Sequence, residues 1–192
     1  MNILNFLIYL WVTAITPGPN TITSMTFGNR YGFQRTLPFN FGIFSGMLTL
    51  ALLAAFLGNA LMTYLPNLKD TLKWFGIAYL LWLAWHIYKA GPLSENGTQA
   101  KASFSRAYLQ QFINVKAILY CITSMTTFVL PHVENPLFIA FNALLLATIA
   151  LLSSMVWSGF GSLFRKLFQD HYRLVNTILA LLLVYCAWTL YH

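Results

Sequence analysis

Two short polar stretches carry the residues that could do chemistry, and both interrupt apolar runs. The first is Thr16-Pro17-Gly18-Pro19-Asn20. Each proline removes a backbone donor and crowds the carbonyl one turn back, and the intervening glycine adds backbone freedom, so a helix must break there. Carbonyls near Thr16 and Gly18 are freed as acceptors, and the Asn20 amide can both donate and accept. The second stretch is Asn114-Val115-Lys116. Lys116 is the one charge that reads as lying inside an apolar run, where a lysine is costly and by default functional. It offers three donors and a positive charge. The competing expectation is a lysine near the end of its run that snorkels to lipid headgroups.

These groups form two poles. Freed carbonyls with Asn20 and Asn114 suit an ammonium, whereas half-helix N–H groups and Lys116 suit a carboxylate, so together they fit a small zwitterion. The hydroxyls of Thr21, Thr23, Ser24 and Thr26, with those of Thr123, Ser124 and Thr126, could line the remainder, or could equally make interhelical hydrogen bonds. The acids Asp70, Glu95, Glu134 and Asp170 fall outside the interiors of the runs, so no carboxylate proton relay is expected. In a proton-driven cycle the titrating group would be Lys116, His86, an acid at an edge such as Asp70, or the zwitterion itself. Cys121 and Cys186 make no disulfide framework. A thiol–disulfide conduit needs two cysteines able to meet, and the first-half counterpart of Cys121 is Thr21. No metal or cofactor is called for.

The elements that must hold these residues are membrane helices. Hydrophobic residues make up 58% of the 192 residues and charged ones 8%, and the mean hydropathy is +0.65; the charged share of a soluble domain is about 25%. Six apolar runs are each long enough to cross roughly 30 Å of hydrocarbon. They cover about Leu4–Phe27, Pro38–Tyr64, Leu72–Tyr88, Ala107–Leu130, Leu137–Phe164 and Leu174–Tyr191. The predicted fold is an all-α integral membrane domain over residues 1–192, with a first three-helix half (1–90), a cytoplasmic loop (91–106) and a second half (107–192). A polar turn is expected at Gly28–Arg35, another at Pro66–Asp70, and an aromatic belt with a snorkelling lysine at Trp82–Lys89.

The net charge of +7 does not imply nucleic acid, because the basic residues sit between the apolar runs, where orientation signals belong. Lys and Arg concentrate in the first, third and fifth loops, which places those loops in the cytoplasm and both termini outside. Met1-Asn2-Ile3 lacks a basic signal-peptide start, so the first run is expected to stay as a span. Gly42 and Gly46, four apart, let helices approach closely, within one chain or between the two copies of a homodimer.

Ile22-Thr23-Ser24-Met25-Thr26 recurs as Ile122-Thr123-Ser124-Met125-Thr126. With three spans per half, the fourth crosses opposite to the first, which is the inverted repeat of secondary transporters, whose site lies between two interrupted helices.

The Thr16–Asn20 element, the Gly-x-x-x-Gly at Gly42–Gly46 and Asn114-x-Lys116 together resemble the LysE/RhtB family of bacterial amino-acid exporters. The similarity runs over essentially the whole chain. Gln111–Lys116, Thr127–Pro131, Trp82–Trp85 and Leu179–Ala187 look like the branch that handles cysteine and O-acetylserine. The resemblance implies export of small neutral amino acids across the bacterial inner membrane, driven by the proton gradient; relatives handle threonine, homoserine, leucine or cysteine. Where many of them read Asn-Pro-Lys in the fourth span, this chain reads Asn-Val-Lys. No proline then enforces a second break.

Overall fold

The structure, a computed structural model, describes residues 3–64, 68–89, 102–164 and 170–191. Among these the chain is helical, without strands: α1 (Ile3–Ile15), α2 (Pro19–Tyr31), α3 (Phe33–Tyr64), α4 (Leu68–Lys89), α5 (Phe104–Gln111), α6 (Val115–Thr123), a π-helical turn (Ser124–Val129) that prolongs α6, α7 (Pro136–Leu163) and α8 (Tyr172–Tyr191).

The first interruption lies where the prolines demand it. Gly18 is the extended N-cap of α2, and Pro19 occupies the first turn, where its missing N–H has no helical acceptor to lose. The second interruption forms without proline. The chain leaves α5 after Gln111 and restarts at Val115, with Asn114 as N-cap accepting from the Ala117 N–H at 3.4 Å, and the segments meet at a 62° bend. A side-chain cap thus supplies what Asn-Val-Lys lacks.

Other boundaries differ from expectation. The polar turn expected at Gly28–Arg35 shrinks to Gly32, whose φ of +82° turns the chain while its N–H bonds to Gly28 O at 2.9 Å. Helix α3 therefore starts at Phe33, and Pro38 lies inside it. Leu68–Asp70 is helical rather than a turn, and Pro66 and Asn67 lie outside the described residues. Ser103 caps α5, so the fourth run begins three residues earlier than expected, at Phe104. Most of the long loop (residues 90–101) and Arg165–Gln169 also lie outside the described residues.

Helices α3 and α7 pack on each other at the centre. Helix α2 lies along α7, α5 lies along α3, and α4 pairs with α8. Missing side chains permit the two closest approaches. A Cβ on Gly28 would run into the Ser158 backbone and one on Gly161 into Met25 O, which closes α2 onto α7. On α3, a Cβ at Gly46 would stand 2.5 Å from Gln111 Cγ and 2.9 Å from Tyr108 O, and one at Gly42 would strike Phe104 O. Gly42 and Gly46 thus face α5 of their own chain. The main core lies between α1, α3, α5, α6 and α7, and a second cluster seats α4 and α8 on Ile22 and Met25 of α2.

Phe33–Leu57 and Pro136–Leu163 are each long and apolar enough to cross a membrane, and the bent α5–α6 pair passes the same test as one span. Among the shorter elements, Ile3–Ile15 and Tyr172–Trp188 are apolar. Outward-facing Phe56, Leu137, Phe141 and Leu181 show that apolar side chains cover the exterior as well as the core. Near the end of α4, Lys89 Nζ lies 4.3 Å from the Trp85 ring centroid, and Trp82 packs on His86 at 4.2 Å.

Candidate functional site

The two interruptions meet. Helix α1 ends where the prolines stop it: Val12 O still accepts from the Thr16 N–H, but the carbonyls from Ala14 to Pro17 lose the helical donor four residues on. In an apolar surround each needs another donor. Four are provided by distant side chains. Ser153 Oγ donates to Ala14 O at 2.8 Å and Trp157 Nε1 to Ile15 O at 3.1 Å, both from α7. Cys186 Sγ, on α8, donates to Pro17 O at 2.9 Å. Lys116 Nζ, in the first turn of α6, donates to Thr16 O at 2.7 Å and to Pro17 O at 3.4 Å. The ammonium also lies at the negative end of the α1 dipole, which favours a cation.

On the other side of the break, Gly18 N donates to Thr21 Oγ1 at 2.9 Å, whose hydroxyl returns a bond to Gly18 O at 3.1 Å. Two residues on from Gly18, Asn20 ties the first break to the second. Its Oδ1 accepts from Asn114 Nδ2 at 3.0 Å, Gln111 Nε2 at 3.2 Å and Gln110 Nε2 at 3.5 Å, and its Nδ2 donates to Gln111 Oε1 at 2.7 Å. Gln111 is fully buried, with a further bond from Nε2 to Ala107 O at 2.8 Å.

Between the breaks lies a cavity of about 40 Å³, walled by Gly18, Pro19, Asn20, Thr21, Asn114 and Lys116, with Thr13, Tyr120 and Ser154 among the residues that complete it. It has room for a few waters. Tyr120 donates its hydroxyl to Leu10 O at 3.1 Å, and the Tyr9 ring lies 5.2 Å from Phe128 and 6.0 Å from Tyr120, so aromatic packing holds α1 against α6 and its π-helical extension. Among the lining residues there is no carboxylate; Lys116 is the charged one.

Every residue of Thr16–Asn20, with Asn114 and Lys116, therefore gathers at one place. The four hydroxyls Thr23, Ser24, Thr123 and Ser124 are not on the cavity wall. Ser24 Oγ donates to Asn40 Oδ1 at 3.1 Å and Asn40 Nδ2 to Ser158 Oγ at 2.9 Å, a fully buried chain joining α2, α3 and α7. Thr123 stands beside the Tyr9 hydroxyl. Ser124 Oγ is buried at the start of the π-helical turn with no hydrogen-bond partner among the described residues. The repeated pentapeptides share one local feature: Thr26 bonds to Ile22 O at 2.9 Å, and Thr126 to Ile122 O at 2.8 Å.

Gln110, Gln111 and Cys186 are site residues that sequence reasoning passed over. The glutamines stand out only as amides in an apolar run, which are expected to face the bundle interior. Nothing local marks Cys186, because its partner Pro17 lies at the other end of the chain.

The LysE type translocator model matches residues 11–192, a stretch that includes both breaks and the lysine. The chain belongs to this family. The LysE assignment makes it a membrane translocator rather than an enzyme. Its similarity extends to the "Cysteine/O-acetylserine efflux protein" of Escherichia coli (strain K12) and of Shigella flexneri, each 39% identical over 97% of this chain and 96% of theirs. The protein of the same name from Escherichia coli O139:H28 is 38% identical over the same shares. No solved structure matches this LysE chain.

Proposed function

We propose that this translocator exports small neutral amino acids, cysteine and O-acetylserine foremost, from the bacterial cytoplasm by proton-coupled alternating access. The observation that carries the reading is the meeting of Lys116 with the Thr16 and Pro17 carbonyls beside the Asn20–Asn114 amides, at a cavity between two interrupted helices. Donor and acceptor poles side by side match a zwitterion, and the named relatives supply the substrates and the direction.

The proposed architecture is six spans in two inverted three-helix halves across the inner membrane, with both termini periplasmic. Exchanging the halves preserves the main helix pairings, which supports it. The first interrupted span lies on α7 and the second on α3, whereas α3–α7 and α4–α8 pair with themselves under the exchange. Bilayer lipid covers the apolar exterior. A homodimer through Gly42 and Gly46 would need that face free, and in the structure it is packed against α5.

Uptake of labelled L-cysteine and O-acetyl-L-serine into inverted membrane vesicles tests the proposal. Uptake that requires this protein and rises when the lumen is acidified is the expected result. No flux of either, with or without a proton gradient, would overturn it.

A further inference from the structure

Lys116 and the α-ammonium of an amino acid are the same chemical group, an aliphatic primary ammonium with three N–H donors. In the structure that group rests on Thr16 O at 2.7 Å and Pro17 O at 3.4 Å, the acceptors that a zwitterion's ammonium would need. Lys116 itself lines the adjoining cavity, beside Gly18 and Asn20. We infer that Lys116 is a tethered stand-in for the substrate: an incoming primary ammonium takes over the Thr16 carbonyl, and the displaced Lys116 Nζ turns to the carboxylate of the same molecule. This rests on the amino-acid reading of the site.

Three observations favour exchange over a fixed structural bond. The neighbouring carbonyls have short or ring-bound donors from α7 and α8, Ser153 on Ala14, Trp157 on Ile15 and Cys186 on Pro17, whereas Thr16 is served by the long, rotatable lysine stem. When Lys116 leaves, Pro17 O keeps Cys186, and the acceptor laid open is Thr16 O. Among the described residues no carboxylate lines the cavity to hold the lysine in place. Gly18 leaves the stem its space, since a Cβ there would lie 3.0 Å from Lys116 Cδ and 3.1 Å from Nζ. The exchange never strips the break bare, which in hydrocarbon would leave carbonyls unpaired.

The substrate class follows. A ligand must carry both a free primary ammonium, to replace the lysine, and a carboxylate, to receive it. N-acylated amino acids lack the first and are excluded. Simple amines lack the second and compete poorly against a tethered ammonium at high effective concentration.

Melting of the purified full-length protein in detergent, titrated with n-butylammonium chloride, tests this. In Lys116→Ala the tethered competitor is gone, so butylammonium should raise the melting temperature saturably, with an apparent affinity about tenfold or more above that for wild type. Butyltrimethylammonium, which has no N–H, should do neither. Lys116→Met, which fills the space without a donor, repeats the experiment in a form less exposed to collapse of the cavity. Equal response to butylammonium in wild type and both variants, or equal response to the two cations, would overturn the inference. Failure of wild type to bind L-cysteine would count against the proposed function alone, because the butylammonium comparison reads the exchange without an amino acid.

Discussion

Asn20 and Asn114, one beyond each break, are joined by a 3.0 Å hydrogen bond from the Asn114 amide to Asn20 Oδ1. That oxygen also accepts from both glutamines at the end of α5, so a single side chain fastens the N-terminus of α2 to the second interruption. Substituting it removes the acceptor for buried amides, each costing about 1–3 kcal/mol when left unpaired. Asn20→Ala should lower the melting temperature and the affinity for L-cysteine together. Asn20→Asp keeps the acceptor and loses the donor to Gln111 Oε1, so it should retain more of both. Fluorescence-detected melting with substrate titration reads the order; Asp equal to or worse than Ala would contradict it.

Gly42 and Gly46 set the α3–α5 distance, and thereby where Gln111 stands relative to Asn20. Gly46→Val places atoms against Gln111 and the Tyr108 carbonyl, an overpacking of about 1–3 kcal/mol. Monodisperse protein on size-exclusion chromatography should fall at both positions, in a double variant more than in either single one. Wild-type melting for Gly46→Val would show that the helices are not in contact there.

How much of this was legible depended on whether the cause was local. Pro17 and Pro19 break a helix in any surrounding, so the first interruption was readable from five residues. The second could be placed by Asn114 and Lys116 but not enforced, because its cause is a cap, and Asn caps a helix only when the chain turns there. The polar composition of Gly28–Arg35 predicts an eight-residue turn, but the turn is Gly32 alone, which takes positive φ while Asn29 and Arg30 stay helical. The carbonyl partners Ser153, Trp157 and Cys186 were invisible, each being fixed by helix packing across much of the chain. By type alone the hydroxyls of Thr23, Ser24, Thr123 and Ser124 suit either the site or interhelical hydrogen bonds. A helix rotates them by 100° per residue, and packing against α3 and α7 decides which way they face.

The buried Ser24–Asn40–Ser158 chain ties three helices at a distance from the cavity wall. Asn40→Ala should destabilise by roughly 1 kcal/mol, within the range for polar contacts between membrane helices. Affinity for L-cysteine, measured below the melting transition, should change little. A large loss of affinity at unchanged stability would move this chain into the site.

Cys121 and Cys186 are thiols bonded to carbonyls rather than to each other, Cys121 donating to Met47 O at 3.8 Å and Cys186 to Pro17 O. Cys121→Ala should therefore keep uptake in inverted vesicles near the wild-type rate. Abolished uptake with normal insertion would favour thiol–disulfide chemistry instead.

The central claim is that Lys116 completes the zwitterion site between the two breaks. Counterflow of labelled L-cysteine in proteoliposomes tests it most directly, because exchange needs binding and alternation but no driving gradient. Wild type should accumulate label transiently against an internal pool of unlabelled L-cysteine. Lys116→Ala, inserted in equal amount and of unchanged helicity, should show less than about a hundredth of that rate, the scale expected when a buried charged partner is removed. Counterflow by Lys116→Ala at the wild-type rate would contradict the account.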